Sequence, residues 1–206
     1  MAVPEFPRAD PACPDFWEMR YRAAFTPWDA GVVPARLREH VAKHRPAGRV
    51  LVPGCGSGHD VRFLAEAGID VQGIDFSAEA LAAALPVLGP FAVRVRLADF
   101  FGPGLEGPWS LVYERAFLCA LPRRMWKDWA ARVAQLLAPG EHLAGFFYFD
   151  DGERGPPFPL HGQAELDALL AGYFEKTADL AVEDSIAVFA GKERWQVWRR
   201  LPGSAQ

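Results

Sequence analysis

The chain has 206 residues, half of them hydrophobic, which is enough for one substantial core and suggests a single domain. Its 22 lysines and arginines against 26 acidic residues give a formal net charge of -4, so no electrostatic argument points to nucleic acid or an anionic membrane as partner. No run approaches the ~20 apolar residues of a membrane span, and Met1–Phe16 lacks the basic-then-apolar order of a secretory signal. Cys13, Cys55 and Cys119 match neither zinc-site nor CxxC spacing, so no metal is expected, and a reducing cytoplasm is the expected setting.

In chain order, two helical stretches come first, Asp15 to Ala24 and Pro34 to His44. Between them lies Thr26-Pro27-Trp28-Asp29-Ala30-Gly31, which is too aromatic for a casual loop. Arg49 to Pro53 reads as a first buried strand, ending in Gly54-Cys55-Gly56-Ser57-Gly58. Val61, Phe63, Leu64 and Ala67 fit a helix from His59 to Ala67, stopped by Gly68. Asp70 to Ile74 reads as a second strand, and Ser77 is placed to cap the alanine-rich helix that follows. Ala92 to Leu97 and Pro108 to Tyr113 read as the third and fourth strands. Pro122 to Leu137 reads as a long helix closed by a Pro139-Gly140 turn, and Glu141 to Phe149 as a fifth strand. A helix from Gln163 to Leu170 precedes two strand-like runs, Phe174 to Val182 and Arg194 to Leu201, whose short connection suits an antiparallel edge pair. The alternation predicts an α/β fold with parallel strands joined by right-handed helical crossovers.

In such a sheet, ligands collect at the carboxyl ends of the strands. Glycines in the loop after the first strand let backbone N–H groups approach an anion or carboxylate. Asp75, after the second strand, is placed to accept from both hydroxyls of a ribose. After the third, Asp99 could take an adenine amino group and Phe100 could cover the ring. Each feature also has an ordinary reading, as a tight turn or a helix cap; their order along the chain gives them force together. A dinucleotide fingerprint needs glycine or alanine where this chain has His59. The loop therefore suits a ligand without a pyrophosphate bridge, and S-adenosylmethionine is favoured over a nicotinamide cofactor.

Thr26-Pro27-Trp28-Asp29 with Gly31, Leu51-Val52-Pro53-Gly54-Cys55-Gly56-Ser57-Gly58-His59-Asp60, Gly73-Ile74-Asp75-Phe76-Ser77, Phe117-Leu118-Cys119-Ala120, Gly155-Pro156-Pro157-Phe158 and Gly191-Lys192-Glu193-Arg194 occur in order over nearly the whole chain. In these segments the sequence resembles the thiopurine S-methyltransferase superfamily, especially its thiol and halide methyltransferase branch. The resemblance implies a class I methyltransferase fold, a Rossmann-like three-layer sandwich on a mostly parallel seven-stranded sheet. It divides the single domain into an N-terminal helical flap over 1–46 and an α/β core over 47–206. It also implies cofactor contacts at Trp17, Tyr21, Trp28, Gly54, Asp75, Asp99, Phe100 and Arg115. The thiol and halide branch usually has tryptophan in place of Tyr21 and an aromatic in place of Arg115, whereas the thiopurine branch has arginine at the latter. The chain thus mixes two branches, and the substrate is less defined than the cofactor.

Methyl transfer from a sulfonium is an in-line displacement, in which positioning alone can lower the barrier by roughly 7–11 kcal/mol. A Trp28 face near the sulfonium would add a cation–π attraction of about 0.5–2 kcal/mol; the ordinary reading has Trp17 and Trp28 stapling helices to the core. Arg115 could stabilise a substrate thiolate, as a catalytic as well as a cofactor-binding residue, or form a structural ion pair with Glu114 or another acid. His59, Glu114 and Asp150 are possible proton acceptors. Pro156-Pro157-Phe158 is expected to form part of a substrate wall, with Phe117 as further lining, while Phe147, Cys55 and Cys119 are expected to pack. The expected activity is transfer of a methyl group to a small soft nucleophile, a thiol or related sulfur compound. A halide, tellurite, oxygen or nitrogen acceptor is the alternative, followed by a cofactor-binding module without turnover. The small molecule is the only partner expected, and a monomer is compatible with such a site.

Overall fold

The computed structural model describes residues 4–203. Helices α1 (Pro14–Arg22) and α2 (Ala35–Lys43) precede an alternating series: β1 (Val50–Pro53), α3 (His59–Glu66), β2 (Val71–Asp75), α4 (Ala78–Leu88), β3 (Val95–Leu97), β4 (Trp109–Arg115), α5 (Trp126–Leu136), β5 (Leu137–Tyr148), α6 (Gln163–Leu170), β6 (Phe174–Ala181) and β7 (Glu193–Arg200). The seven strands form one sheet in the order β3-β2-β1-β4-β5-β7-β6. β3 through β5 run parallel, and β7 is antiparallel to both β5 and β6. The winding reverses between β1 and β4, the place where an open α/β sheet leaves a crevice for a ligand.

The pleat sends alternate residues to opposite faces, and helices cover both. Leu51 and Val112 join Trp126, Trp129 and Val133 of α5 in one apolar cluster. Val50, Val52, Leu111 and Tyr113 join Leu37 of α2 and Val61 and Leu64 of α3 in the other. Near-continuous apolar strands such as Val50–Pro53, buried throughout, follow from this two-sided cover.

Most elements stand within two residues of the expected bounds, and the Ser77 hydroxyl accepts the Ala80 N–H at the start of α4 as expected. Two differ. The third strand begins only at Val95, because Gly89–Arg94 forms a 3₁₀ turn that leaves Val93 85% exposed rather than paired. The helix expected over Pro122 to Leu137 starts at Trp126, after a 3₁₀ turn over Arg123–Met125. β5 then begins at once, so Pro139-Gly140 lies inside a bulged strand: Trp109 pairs with Leu137, and Leu111 with His142. The extra residues bow away from β4, so Pro139 sits where no ladder hydrogen bond is required of it. Among the described residues no helix is long and apolar enough to cross a membrane, and no cluster of histidine, cysteine or acidic residues is placed to hold a metal.

Candidate active site

A cavity of about 470 Å³ opens at the β1/β4 switch, under the N-terminal segment. All eight expected cofactor residues line it: Trp17, Tyr21, Trp28, Gly54, Asp75, Asp99, Phe100 and Arg115.

The glycine loop is a cradle whose shape excludes side chains. Gly54, Gly56 and Gly58 have φ of 58°, 51° and 76°. A Cβ on Gly54 would stand 2.5 Å from the Phe117 ring, and one on Gly56 would stand 2.8 Å from the Tyr21 hydroxyl. Asp75, 8% exposed, closes the rim: one carboxylate oxygen accepts the Gly56 N–H (3.1 Å) and the other the Ser77 N–H (2.9 Å). Burial pushes this carboxyl up to about 6, while the backbone donors work to lower it. It is therefore mainly an anion at neutral pH. Asp99 is exposed, and its Oδ1 accepts the Phe101 N–H at 2.9 Å. Phe100 is buried beside it, with Phe101 and Phe117 set edge-on to its ring.

The flap supplies an aromatic wall. Trp17 and Tyr21 meet Trp28 edge-to-face, with ring centroids 5.3 and 6.0 Å apart. The Trp17 indole N–H donates to the Pro11 carbonyl (2.8 Å), and Arg22 ties α1 to Glu79 of α4 (2.8 Å). All three rings are only half-buried and lie outside both core clusters. Burial, followed by the negative charge of Asp75, raises the Tyr21 phenol, which stays protonated as a donor. Arg20 also lines the cavity, but its guanidinium lies 3.4 Å over the Phe16 ring and donates to the Phe16 carbonyl.

At the other end, Arg115 lies 4.3 Å over the Phe146 ring, with Nη1 3.8 Å from Glu193 Oε1. Its ionic partner is thus Glu193, not the neighbouring Glu114. Glu114 instead accepts the N–H groups of Phe117 and Leu118 at 2.8 and 2.9 Å, holding the turn in which Ala116 has φ 56°. Glu114 does not line the cavity, and neither does Asp150, which is bound by Lys192 (2.6 Å) and the Tyr148 hydroxyl (2.9 Å). His59 does line it, 3.9 Å from Asp29. Pro156, Pro157 and Phe117 form wall as expected, but Phe158 packs against the core, and its N–H bonds the Cys119 carbonyl at 2.7 Å. Phe147 is core. Cys55 and Cys119 edge the cavity, and burial pushes both thiols up, away from the reactive thiolate.

Sequence reasoning missed Asp60. It sits in the first turn of α3 and lines the cavity, with Oδ1 sealed from solvent and unpartnered. The signal was an acid directly after the glycine loop, which reads equally as a helix-dipole residue.

The profile of the thiopurine S-methyltransferase (TPMT) family matches residues 12–201. The chain belongs to this family. It is 31% identical to thiocyanate methyltransferase 1 of Brassica oleracea over 90% of this chain and 84% of that one. It is 30% identical to the probable thiol methyltransferase 2 of Arabidopsis thaliana, over 89% and 84%. It is 32% identical to the thiopurine S-methyltransferase of Vibrio cholerae, over 77% and 81%. Among solved structures, Burkholderia thailandensis 1,6-didemethyltoxoflavin-N1-methyltransferase, with S-adenosylhomocysteine bound, superposes with a TM-score of 0.71 over 97% of this chain and 94% of that one, at 19% identity. A protein of echinomycin biosynthesis, studied for conversion of a disulfide bond into a thioacetal group, reaches 0.74 over 91% and 93%, at 17% identity. These two show the shared fold. The TPMT-family chain is an S-adenosylmethionine-dependent methyltransferase, and its cavity fits that cofactor: a cradle that any Cβ would fill, a buried acid at the end of β2, and half-exposed indoles outside the core.

Proposed function

We propose that the protein methylates the sulfur of a small thiol or thiol-like anion. The observation that carries this reading is Arg115, a guanidinium lining a cavity whose walls also include Phe117, Pro156, Pro157, Val188 and Phe189. Such a chamber suits a soft anion with little need of hydrogen bonds. The names of the relatives, for thiocyanate, thiols and thiopurine, agree with it.

In this reading Gly54 and the loop amides receive the amino-acid tail of the cofactor. Asp75 takes the ribose, and Asp99 with Phe100 the adenine. Bound S-adenosylmethionine supplies an activated methyl group on a positive sulfur. Trp28 offers its ring to that charge, worth about 0.5–2 kcal/mol. The aromatic flap excludes water, and Arg115 both steadies the cofactor end and favours the ionised form of a thiol, whose ordinary pKa is about 8.5. The remaining rate comes from holding acceptor sulfur, methyl and sulfonium in line. The protein works as a single domain, with 1–46 as flap and 47–206 as core; residues 1–3 and 204–206 of that division lie outside the described residues. Three free thiols, Cys13, Cys55 and Cys119, suit a reducing cytoplasm.

The test is turnover of S-adenosylmethionine with sulfide, methanethiol, thiophenol, a thiopurine, thiocyanate, iodide and tellurite, following methylated product and S-adenosylhomocysteine. Sulfur acceptors should exceed iodide and tellurite in kcat/KM. Efficient turnover of oxygen or nitrogen acceptors with none on sulfur would sink the reading.

A further inference from the structure

Four acids line the cavity: Asp29, Asp60, Asp75 and Asp99. Three are committed to the backbone, with Asp29 accepting from Gly31, Asp75 from Gly56 and Ser77, and Asp99 from Phe101. Asp60 accepts no backbone hydrogen bond among the described residues, and its Oδ1 is shut off from solvent. Leaving a buried carboxylate oxygen unpaired costs stability, so its presence at the edge of a ligand cavity calls for an explanation. Nearby stand Arg115, whose charge favours the ionised carboxyl, and the Tyr113 hydroxyl, close enough to favour it as a donor, both from β4, with His59 beside it on α3 and Asp29 on the flap. Arg115 is shared, since Glu193 is its 3.8 Å partner on the far side of the sheet pairing.

We propose that Asp60 is the proton acceptor that ionises a thiol substrate beside Arg115. This rests on the thiol reading of the acceptor. The proton of the S–H bond passes to a carboxylate oxygen of Asp60, and the electron pair left on sulfur forms the new S–CH₃ bond. The old bond from methyl to the sulfonium breaks, and its electrons stay on that sulfur, which becomes a neutral thioether. Asp60, now a carboxylic acid, returns the proton to water. Burial pushes its carboxyl up to about 6, with Arg115 opposing, which brings it nearer the thiol it must deprotonate. His59 is the less suitable base, because it faces Asp29 at 3.9 Å on the flap side.

The experiment compares an alkanethiol, which carries its proton at neutral pH, with thiocyanate, which has none to lose. In Asp60→Asn the ratio of kcat/KM for alkanethiol over thiocyanate should fall by about a hundredfold, within the range of general-base contributions. Asp60→Glu should restore most of it. In the wild type the same ratio should fall as pH drops below about 6, a measurement that needs no variant to fold. Asp75 titrates over the same range but bears on both acceptors alike, so the ratio isolates Asp60. As a readout apart from turnover, thiolate absorbance of an alkanethiol bound with S-adenosylhomocysteine should appear at lower pH in Asp60→Asn than in the wild type, because the carboxylate facing the sulfur no longer opposes a second negative charge. Equal losses on both acceptors, with an unmoved absorbance titration, would overturn the proposal while leaving thiol methylation standing. A wild type that turns over thiocyanate and no thiol would overturn both, since a base would have no proton to take.

Discussion

At the glycine-loop end of the cavity the carboxylates are tied to the backbone, Asp75 through Gly56 and Ser77 and Asp99 through Phe101. At the Arg115 end the charged groups meet chiefly one another, with Arg115 set between a ring and Glu193 and the Asp60 oxygen unpaired. The first arrangement fixes geometry through main-chain atoms that hardly change with side-chain substitution. The second sets charge and proton affinity through side chains that can be exchanged one at a time. One end is thus suited to a constant ligand, and the other to an acceptor that differs among relatives.

The largest effect should come from breaking the fixed end. Asp75→Ala should weaken S-adenosylhomocysteine binding by at least about a hundredfold by calorimetry, since two charged hydrogen bonds are lost at ~1.5–3 kcal/mol each, while the fold survives. Wild-type affinity in that variant would refute the ribose assignment. The same carboxyl gives a pH test. Its value is raised to about 6, so it is an anion above that pH and an acid below it. Affinity should hold on the alkaline side and decline as pH falls through about 6, and Asp75→Asn should abolish that slope.

Next comes the flap. Trp28→Ala should lower kcat/KM about tenfold, in line with a lost cation–π contact, and shift the melting temperature little because the ring is outside the core. A variant that melts early yet turns over normally once folded would make Trp28 a packing residue. At the exchangeable end, Arg115→Gln should raise the KM for thiocyanate several-fold, about fivefold, more than it weakens S-adenosylhomocysteine binding. Equal effects on both would confine Arg115 to the cofactor. The smallest change is expected for Glu114→Gln. The amide oxygen can still accept from Phe117 and Leu118, so cofactor and acceptor parameters should move together by no more than about threefold.

The two ends also differ in how far the sequence announces them. That Gly54, Gly56 and Asp75 line one cavity is legible because strand-end geometry is local: each lies at or just past the carboxyl end of its strand. Arg115 could be placed, but not its partner, because Glu193 reaches it only through the antiparallel pairing of β7 with β5, in which Tyr148 stands opposite Glu193. Asp60 looks like any acid in a first helical turn, and only packing against Tyr113 and Arg115 sets it apart. Phe158 differs from expectation because a ring beside two prolines looks like wall, whereas the hydrogen bond its N–H donates to the Cys119 carbonyl accompanies packing against the core. In the fold, the late start of β3 and the bulge at Pro139-Gly140 escaped for a related reason: apolar runs mark which residues pair but not where pairing begins.

The distribution of indoles has a practical side. Of the seven tryptophans, Trp109, Trp126, Trp129, Trp195 and Trp198 are sealed, which leaves Trp17 and Trp28, both on the flap, open to collision with solutes. A water-soluble quencher such as acrylamide therefore dims emission from the flap alone. The molecule carries its own optical probe of the flap, with no dye attached.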